Sequence, residues 1–240
     1  MLSEIWTINE FLATHPLTRR RRLSATARVL QWQIVSRIRG EVIIDWIGGT
    51  RFAARRGMTG ITGNIYAGLH EFADMAFVLH FLRPHDLFVD VGANVGSYTI
   101  LASGVVGCRT VAFEPDPGAA AALERNVALN RIAERVETRR AAVGDRDGII
   151  RFSVGLDTVN HVTAQPDMPS RDVPIQTLDR AVLGAGLIPR LIKIDVEGFE
   201  ADVLRGAVLA APELIVVQTE TERRKSSKCA QECRHDRVHI

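Results

Sequence analysis

Within the first 40 residues, Leu23, Ala27, Leu30, Ile34 and Ile38 recur at spacings of four and three, the period of one face of an α-helix. Arg19 to Arg22, Arg28, Arg37 and Arg39 fall largely off that stripe. The pattern predicts an amphipathic, arginine-rich helix that either presents a solvated basic face or makes a peripheral contact with anionic lipid headgroups or a partner. Residues 41–66 alternate β-branched and aromatic residues with glycine pairs, Val42 to Gly49 and then Thr50 to Ala54, the pattern of a short hairpin. Phe72, Met75, Ala76, Leu79 and Leu82 mark a helix that stops before Pro84.

From residue 86 the pattern changes to short continuous apolar runs at Leu87 to Val91, Thr110 to Phe113, Val136 to Val143, Leu191 to Ile194 and Leu214 to Val217, separated by helical stretches. Such runs suit parallel strands buried on both faces, and their alternation with helices predicts an open α/β sheet with helices on both faces. Ile149 to Val154 and Val173 to Leu178, each flanked by polar turn residues, read as an additional antiparallel pair over the sheet edge. The chain then divides into an N-terminal extension (1–85) that packs on an α/β domain (86–220), followed by a polar, disordered tail (221–240).

Composition narrows the class. With 240 residues, 46% hydrophobic and 24% charged, the chain is globular and excludes a collagen, a coiled coil or a disordered tail as its main content. A net charge of +2 carries no domain-wide basic footprint, so no nucleic-acid partner is expected. No run reaches the roughly 18 apolar residues needed to cross a bilayer, and the N-terminus lacks the order of a signal peptide. Three cysteines, Cys108, Cys229 and Cys233, cannot frame a disulfide scaffold, which points to a reducing compartment and hence the cytoplasm. Cys229-x-x-x-Cys233-x-His235-x-x-x-His239 does not match the spacing of a structural zinc site, and no metal is expected.

The most informative segment is Asp90-Val91-Gly92-Ala93-Asn94-Val95-Gly96, where a buried strand runs through a glycine loop into a helix. Gly92 and Gly96 allow a tight turn and a close approach to a ligand. A dinucleotide loop would carry Gly-x-Gly-x-x-Gly. Here the second glycine is replaced by Asn94, and the carboxylate of Asp90 opposes a pyrophosphate while suiting a ligand with a cationic group, such as the amino-acid end of S-adenosylmethionine. Glu114-Pro115 closes the second run 18 residues after Gly96, where an acid can accept hydrogen bonds from both ribose hydroxyls of an adenosine. Lys193, Asp195 and Glu197 alternate at the end of the fourth run, and three ionisable groups there are costly unless paired or placed at an opening. For Lys193 a salt bridge to Asp195 or Glu197 and a substrate contact are equal readings. His161, in the polar loop Asp157 to Thr163, sits where a loop could reach an acceptor.

These blocks, together with Ala141-Ala142-Val143-Gly144-Asp145, Thr177-Leu178-Asp179 and Ile192 to Glu200, appear in an order that resembles the FkbM-type S-adenosylmethionine-dependent methyltransferases over roughly residues 65–220. The resemblance implies a Rossmann-like class I methyltransferase sheet, S-adenosylmethionine as cofactor, and O-methylation of a sugar hydroxyl or other alcohol in a small molecule or glycan. It implies that Asp90, Gly92, Ala93, Asn94, Gly96, Glu114 and Pro115 hold the cofactor, with Ala142, Val143 and Asp145 beside the adenine and Glu71 as an upstream acidic contact. Asp195 would lie near the methyl donor, and Asp195, Glu197 or His161 could take the acceptor proton. Such a sheet normally ends in an antiparallel hairpin, yet no second pair of apolar runs follows Val217, and Gln218 or Glu220 stands where a closing acid is expected. Two alternatives stay open: a nicotinamide-dependent oxidoreductase, which the glycine spacing and Asp90 oppose, and a truncated, non-catalytic cofactor-binding product.

Overall fold

The computed structural model describes residues 2–153, 169–182, 188–196, 198–207 and 215–218. Its centre is a five-stranded parallel sheet of β3 (Leu87–Val91), β4 (Arg109–Phe113), β5 (Val136–Arg139), β9 (Leu191–Ile194) and β10 (Ile215–Gln218), in the order β10-β9-β3-β4-β5. The chain builds outward from β3 to β4 and β5, then returns to β3's other side for β9 and β10. That reversal opens a crevice at the carboxyl ends of β3 and β9, the usual ligand position in a doubly wound sheet.

All five residues of β3 are buried, and their alternation sorts them between faces. Leu87, Val89 and Val91 join Val111, Phe113, Ile192 and Ile194 on one side. Phe88 faces α4 (Phe72–Phe81) and the helix after the glycine loop, packing with Met75, Val78, Tyr98 and Leu101. Asp90 shares the Phe88 side, so a carboxylate is carried into the interior by strand period alone. The post-loop helix starts as α5 (Ser97–Thr99) and widens into a π-helical stretch, Ile100–Val106. After β4, α6 (Pro117–Leu129) begins with Asp116 as N-cap, whose side chain accepts from the Ala119 N–H, and with proline in the first turn.

The third apolar run divides. Only Val136–Arg139 stays in the main sheet, as a partly exposed edge strand. Arg139 and Ala141 form a tight turn, and Ala142–Val143 becomes β6 of a second sheet, ordered β6-β8-β7. In it β7 (Gly148–Ser153) and β8 (Ser170–Gln176) form the antiparallel pair that the pattern suggested. An apolar run broken by the exposed Arg140 does not hold one strand through.

The N-terminal pattern resolves into two helices, α1 (Leu2–Thr14) and α2 (Arg22–Ile38), and the hairpin β1 (Val42–Asp45)/β2 (Arg51–Ala54). Residues beyond the hairpin are helical, as α3 (Thr59–Ala67), a correction to the reading of 41–66 as hairpin alone. Which face of α2 packs is a second difference. Ala25, Val29, Trp32 and Ser36 are buried, whereas Leu23, Leu30, Ile34 and Ile38 are exposed, Leu23 at 90%. Two small residues in the packed face let the helix come close, and Arg28 donates to the carbonyl of Tyr66 in α3 at 2.9 Å.

The extension and the α/β part share one apolar cluster, which includes Val29, Trp32, Phe52 and Ile61 alongside Ala93, Val95 and Leu123. Asn126 of α6 joins them by hydrogen bonds. Its Oδ1 accepts from the Ala53 N–H and its Nδ2 donates to the Val95 carbonyl, both at 2.8 Å. Among the described residues, no helix is long and apolar enough to cross a membrane, and no group of side chains is arranged to hold a metal ion.

Candidate functional site: a glycine-loop crevice

The crevice at the ends of β3, β4 and β9 has a volume of about 280 Å³. Its floor is the loop Gly92 to Gly96. Gly92 has φ +75° and packs so closely on β9's extension that a Cβ there would stand 1.9 Å from the Asp195 carbonyl oxygen. Only glycine can occupy that point. The N–H groups of Gly92 and Ala93 both donate to the Phe113 carbonyl, at 3.0 and 2.9 Å, clamping the loop to the end of β4. Asn94 takes a left-handed conformation (φ 50°), and its side-chain oxygen accepts from the Val95 N–H. This is the backbone geometry that asparagine tolerates and most residues resist.

Glu114 emerges from β4 into this crevice yet is only 6% exposed. Its Oε2 accepts from the Asn94 N–H and its Oε1 from the Asp116 N–H, each at 2.8 Å. Each oxygen keeps further acceptor capacity. Burial pushes the acid up to about 7, against the two N–H groups, which lower it. Hydroxyl donors arriving at this carboxylate would relieve that cost.

Beneath the loop lies a buried charge cluster. Lys193 is 3% exposed and donates to the Gly92 carbonyl at 2.8 Å, with Asp90 Oδ1 at 3.4 Å and Asp195 Oδ2 at 3.5 Å. Burial alone would lower the ammonium's pKa, but Asp90, Asp195 and Glu71 outweigh it, so the lysine stays charged and is raised above its ordinary value. Asp90 Oδ2 accepts from Thr99 Oγ1 at 2.6 Å, while Oδ1 has no hydrogen-bond partner among the described residues and is held by the ion pair alone. The cation beside Asp90 is therefore the chain's own Lys193. Asp90 does not itself line the crevice: strand alternation sends it under the loop, whereas the motif placed it at a ligand's cationic group.

Glu71, at the start of α4, lines the same crevice and accepts from the Tyr98 hydroxyl at 2.8 Å. Burial raises its pKa, with Tyr98 and Lys193 acting against that. Tyr98 is held in its neutral form by burial and by the neighbouring Glu71, and its ring lies 5.2 Å from Lys193 Nζ.

The structure thus brings Glu71, Gly92, Ala93, Asn94, Glu114, Pro115, Ala142, Val143, Lys193 and Asp195 to one crevice. Gly96 stands behind it as the left-handed residue that starts α5. Asp145 is turned away, exposed beside Arg146 at 3.3 Å, because the chain has already passed β6 into the turn before β7. Asp195 lies one residue past the end of β9 and is partly buried. His161 and Glu197 lie outside the described residues, as does the segment 219–240 with its Cys and His pairs. Residues that the motifs did not single out also line the crevice: Asn64, Tyr98, Phe152 and Phe199 among them. Two of these had a signal: Tyr98, two residues beyond Gly96 in the first helical turn, and Phe199, inside the Ile192 to Glu200 block.

The sheet order and its helices define a Rossmann-like α/β fold. The chain matches the Methyltransferase FkbM domain over residues 90–232 and belongs to that methyltransferase family. It is similar to 31-O-demethyl-FK506 methyltransferase FkbM of Streptomyces tacrolimicus, with 36% identity over 110 residues that make up 45% of this chain and 42% of that one. It is also similar to Methyltransferase 1 of Beauveria bassiana (strain ARSEF 2860), 28% identical over 149 residues, covering 51% and 59% of the two chains. The similarity therefore spans about half the length of these relatives. Solved structures that are alike in fold include an RNA methyltransferase from Salinibacter ruber in complex with S-adenosyl-L-homocysteine, at 17% identity and TM-score 0.38 over 61% of this chain and 72% of that one. Precorrin 8W decarboxylase from Methanobacterium thermoautotrophicum matches at 17% identity and TM-score 0.39, over 64% and 63%.

Proposed function

We propose that the chain binds S-adenosylmethionine in this crevice and methylates a hydroxyl of a sugar-like small molecule or glycan. The observation that carries the cofactor assignment is Glu114: a nearly buried carboxylate, oriented by two backbone N–H groups, with acceptor capacity left on both oxygens. Paired ribose hydroxyls are the donors that fit such an acid. Pro115, Ala142 and Val143 supply an apolar wall suited to an adenine. Glu71 and Lys193 give the opposite end of the crevice both signs of charge, which suits a zwitterionic amino-acid group.

When bound, the cofactor supplies an electrophilic methyl group on a sulfonium. The chain's own residues orient the acceptor and receive its proton. Among the described residues, Asp195 is the candidate base: it is partly buried at the crevice, with Lys193 Nζ 3.5 Å from its Oδ2. Transfer would break the methyl–sulfur bond, leaving the neutral thioether, and form the methyl–oxygen bond, while Asp195 would receive the hydroxyl proton and pass it to solvent. Membership in a methyltransferase family favours this chemistry over hydride transfer to a nicotinamide.

Isothermal titration with S-adenosylmethionine and S-adenosylhomocysteine tests the cofactor, and methyl transfer to a panel of sugar alcohols, amines and thiols tests the acceptor class. Binding of both ligands, with transfer confined to alcohols, is the expected outcome. Failure of both to bind refutes the cofactor assignment, and transfer to amines alone refutes the acceptor assignment.

A further inference from the structure

Helix α2 carries two opposed apolar stripes. At 100° per residue, Ala25, Val29, Trp32 and Ser36 cluster on the packed side, whereas Leu23, Ala27, Leu30, Ile34 and Ile38 lie within a narrow arc almost diametrically opposite. The outer stripe faces solvent: Leu23 is 90% exposed, Leu30 57%, Ile34 59% and Ile38 77%. Four large aliphatic side chains in one row along a 17-residue helix make an apolar strip about 22 Å long, unlike the scattered single exposures normal for a surface.

Charge decides what such a strip fits. Residues 11–40 contain seven arginines and neither aspartate nor glutamate, while the whole chain carries only +2, so the remainder is net acidic. Arg19, Arg20, Arg21 and Arg22 precede or open the helix, and Arg37 and Arg39 close it; all are exposed. None forms an ion pair with a carboxylate among the described residues. Arg22 and Arg37 reach only backbone carbonyls and the Gln33 side chain. A second copy docking by this strip around a two-fold axis would set arginine ends against arginine ends, which like-charge repulsion opposes. An anionic surface meets both features at once.

We infer that α2 is an interfacial helix that lies in the plane of an anionic lipid bilayer, with Leu23, Ala27, Leu30, Ile34 and Ile38 in the acyl boundary and the arginines at both ends on the headgroups. The inner stripe keeps the helix fixed to the fold through Trp32 and through the bond from Arg28 to Tyr66, so binding requires no unfolding. This surface is independent of the methyl-transfer assignment.

Co-sedimentation of the whole chain with vesicles of phosphatidylcholine, and of phosphatidylcholine mixed equally with phosphatidylglycerol, tests it. Binding should be at least tenfold stronger on the anionic vesicles and should weaken as salt rises. The double variant Leu30→Ser/Ile34→Ser should lower it at least tenfold, and Arg19→Gln/Arg20→Gln about thirtyfold, at about 1 kcal/mol per arginine. All four positions are exposed, so thermal melting and cofactor titration of these variants should match the parent. Absence of binding to anionic vesicles, or equal binding by Leu30→Ser/Ile34→Ser, overturns the inference. So does a concentration-dependent dimer in light scattering that this same variant abolishes, because the strip would then belong to a second copy.

Discussion

Glu114 Oε2 accepts the backbone N–H of Asn94 at 2.8 Å, so the acid that ends β4 is also the strut that holds the glycine loop after β3. One carboxylate thereby couples the two halves of the crevice. Replacing it removes a ligand acceptor and a loop support together.

Glu114→Ala should weaken S-adenosylmethionine by about 10- to 150-fold, equivalent to roughly 1.5–3 kcal/mol for hydrogen bonds to a charged group. Titration calorimetry reads this directly, and unchanged affinity would remove Glu114 from the cofactor site.

The same acid predicts a pH dependence. Burial raises it from an ordinary 4.5 to about 7 in the folded chain. Between those values the folded state holds more protons than the unfolded one, so this group's contribution to stability falls as pH rises through pH 4.5–7, by roughly 3 kcal/mol in all. Urea midpoints measured at pH 5 and pH 8 should show the loss, and the difference should shrink in Glu114→Gln. Cofactor affinity runs the other way, because ribose donors favour the ionised acid: it should rise between pH 6 and pH 8.

Gly92→Ala places a methyl group 1.9 Å from the Asp195 carbonyl at a φ of +75°. Relief requires the glycine loop or the segment after β9 to move. A stability loss of at least ~2 kcal/mol is expected from strain of this kind, with loss of cofactor binding. A melt and a titration that both match the parent would show that the loop and β9 are less tightly packed than their geometry indicates.

Lys193 and Asp90 lend themselves to a double-mutant cycle. Lys193→Met leaves Asp90, fully buried, without its cation and should cost about 3–5 kcal/mol. Adding Asp90→Asn should restore part of that loss, since the neutral amide needs no counter-charge. Additive losses in the double variant would mean that the two are not energetically coupled.

Asp195→Asn should leave S-adenosylmethionine affinity within a few-fold of the parent and lower turnover at least about a hundredfold, the lower bound for a positioned general base. Turnover at the parent rate would place the base elsewhere, with His161 the next residue to test.

Much of this architecture was legible in the pattern of residues. The five runs that form the sheet, the loop after β3 and the acid after β4 are local features, because buried parallel strands need continuous apolar runs and a tight ligand turn needs glycine at fixed spacing. Tertiary structure decided what local periodicity leaves degenerate. The motif gives Asp90 no partner within the chain, and only the assembled sheet sets it under the loop beside Lys193, 103 residues away in sequence. Asp145 follows an apolar run that ought to end at the crevice, but the chain turns at Arg139 and Ala141 into another sheet, whose Ala142 and Val143 line the crevice, and Asp145 falls in the exposed turn beyond them. In α2, two stripes satisfy the helical period equally well. Which one packs is set by the neighbours gathered around Ala25, Val29 and Trp32, among them Phe52 of β2 and Ile61 of α3, which no single segment contains. Period reports which residues share a face, and only the assembled neighbours determine where that face points.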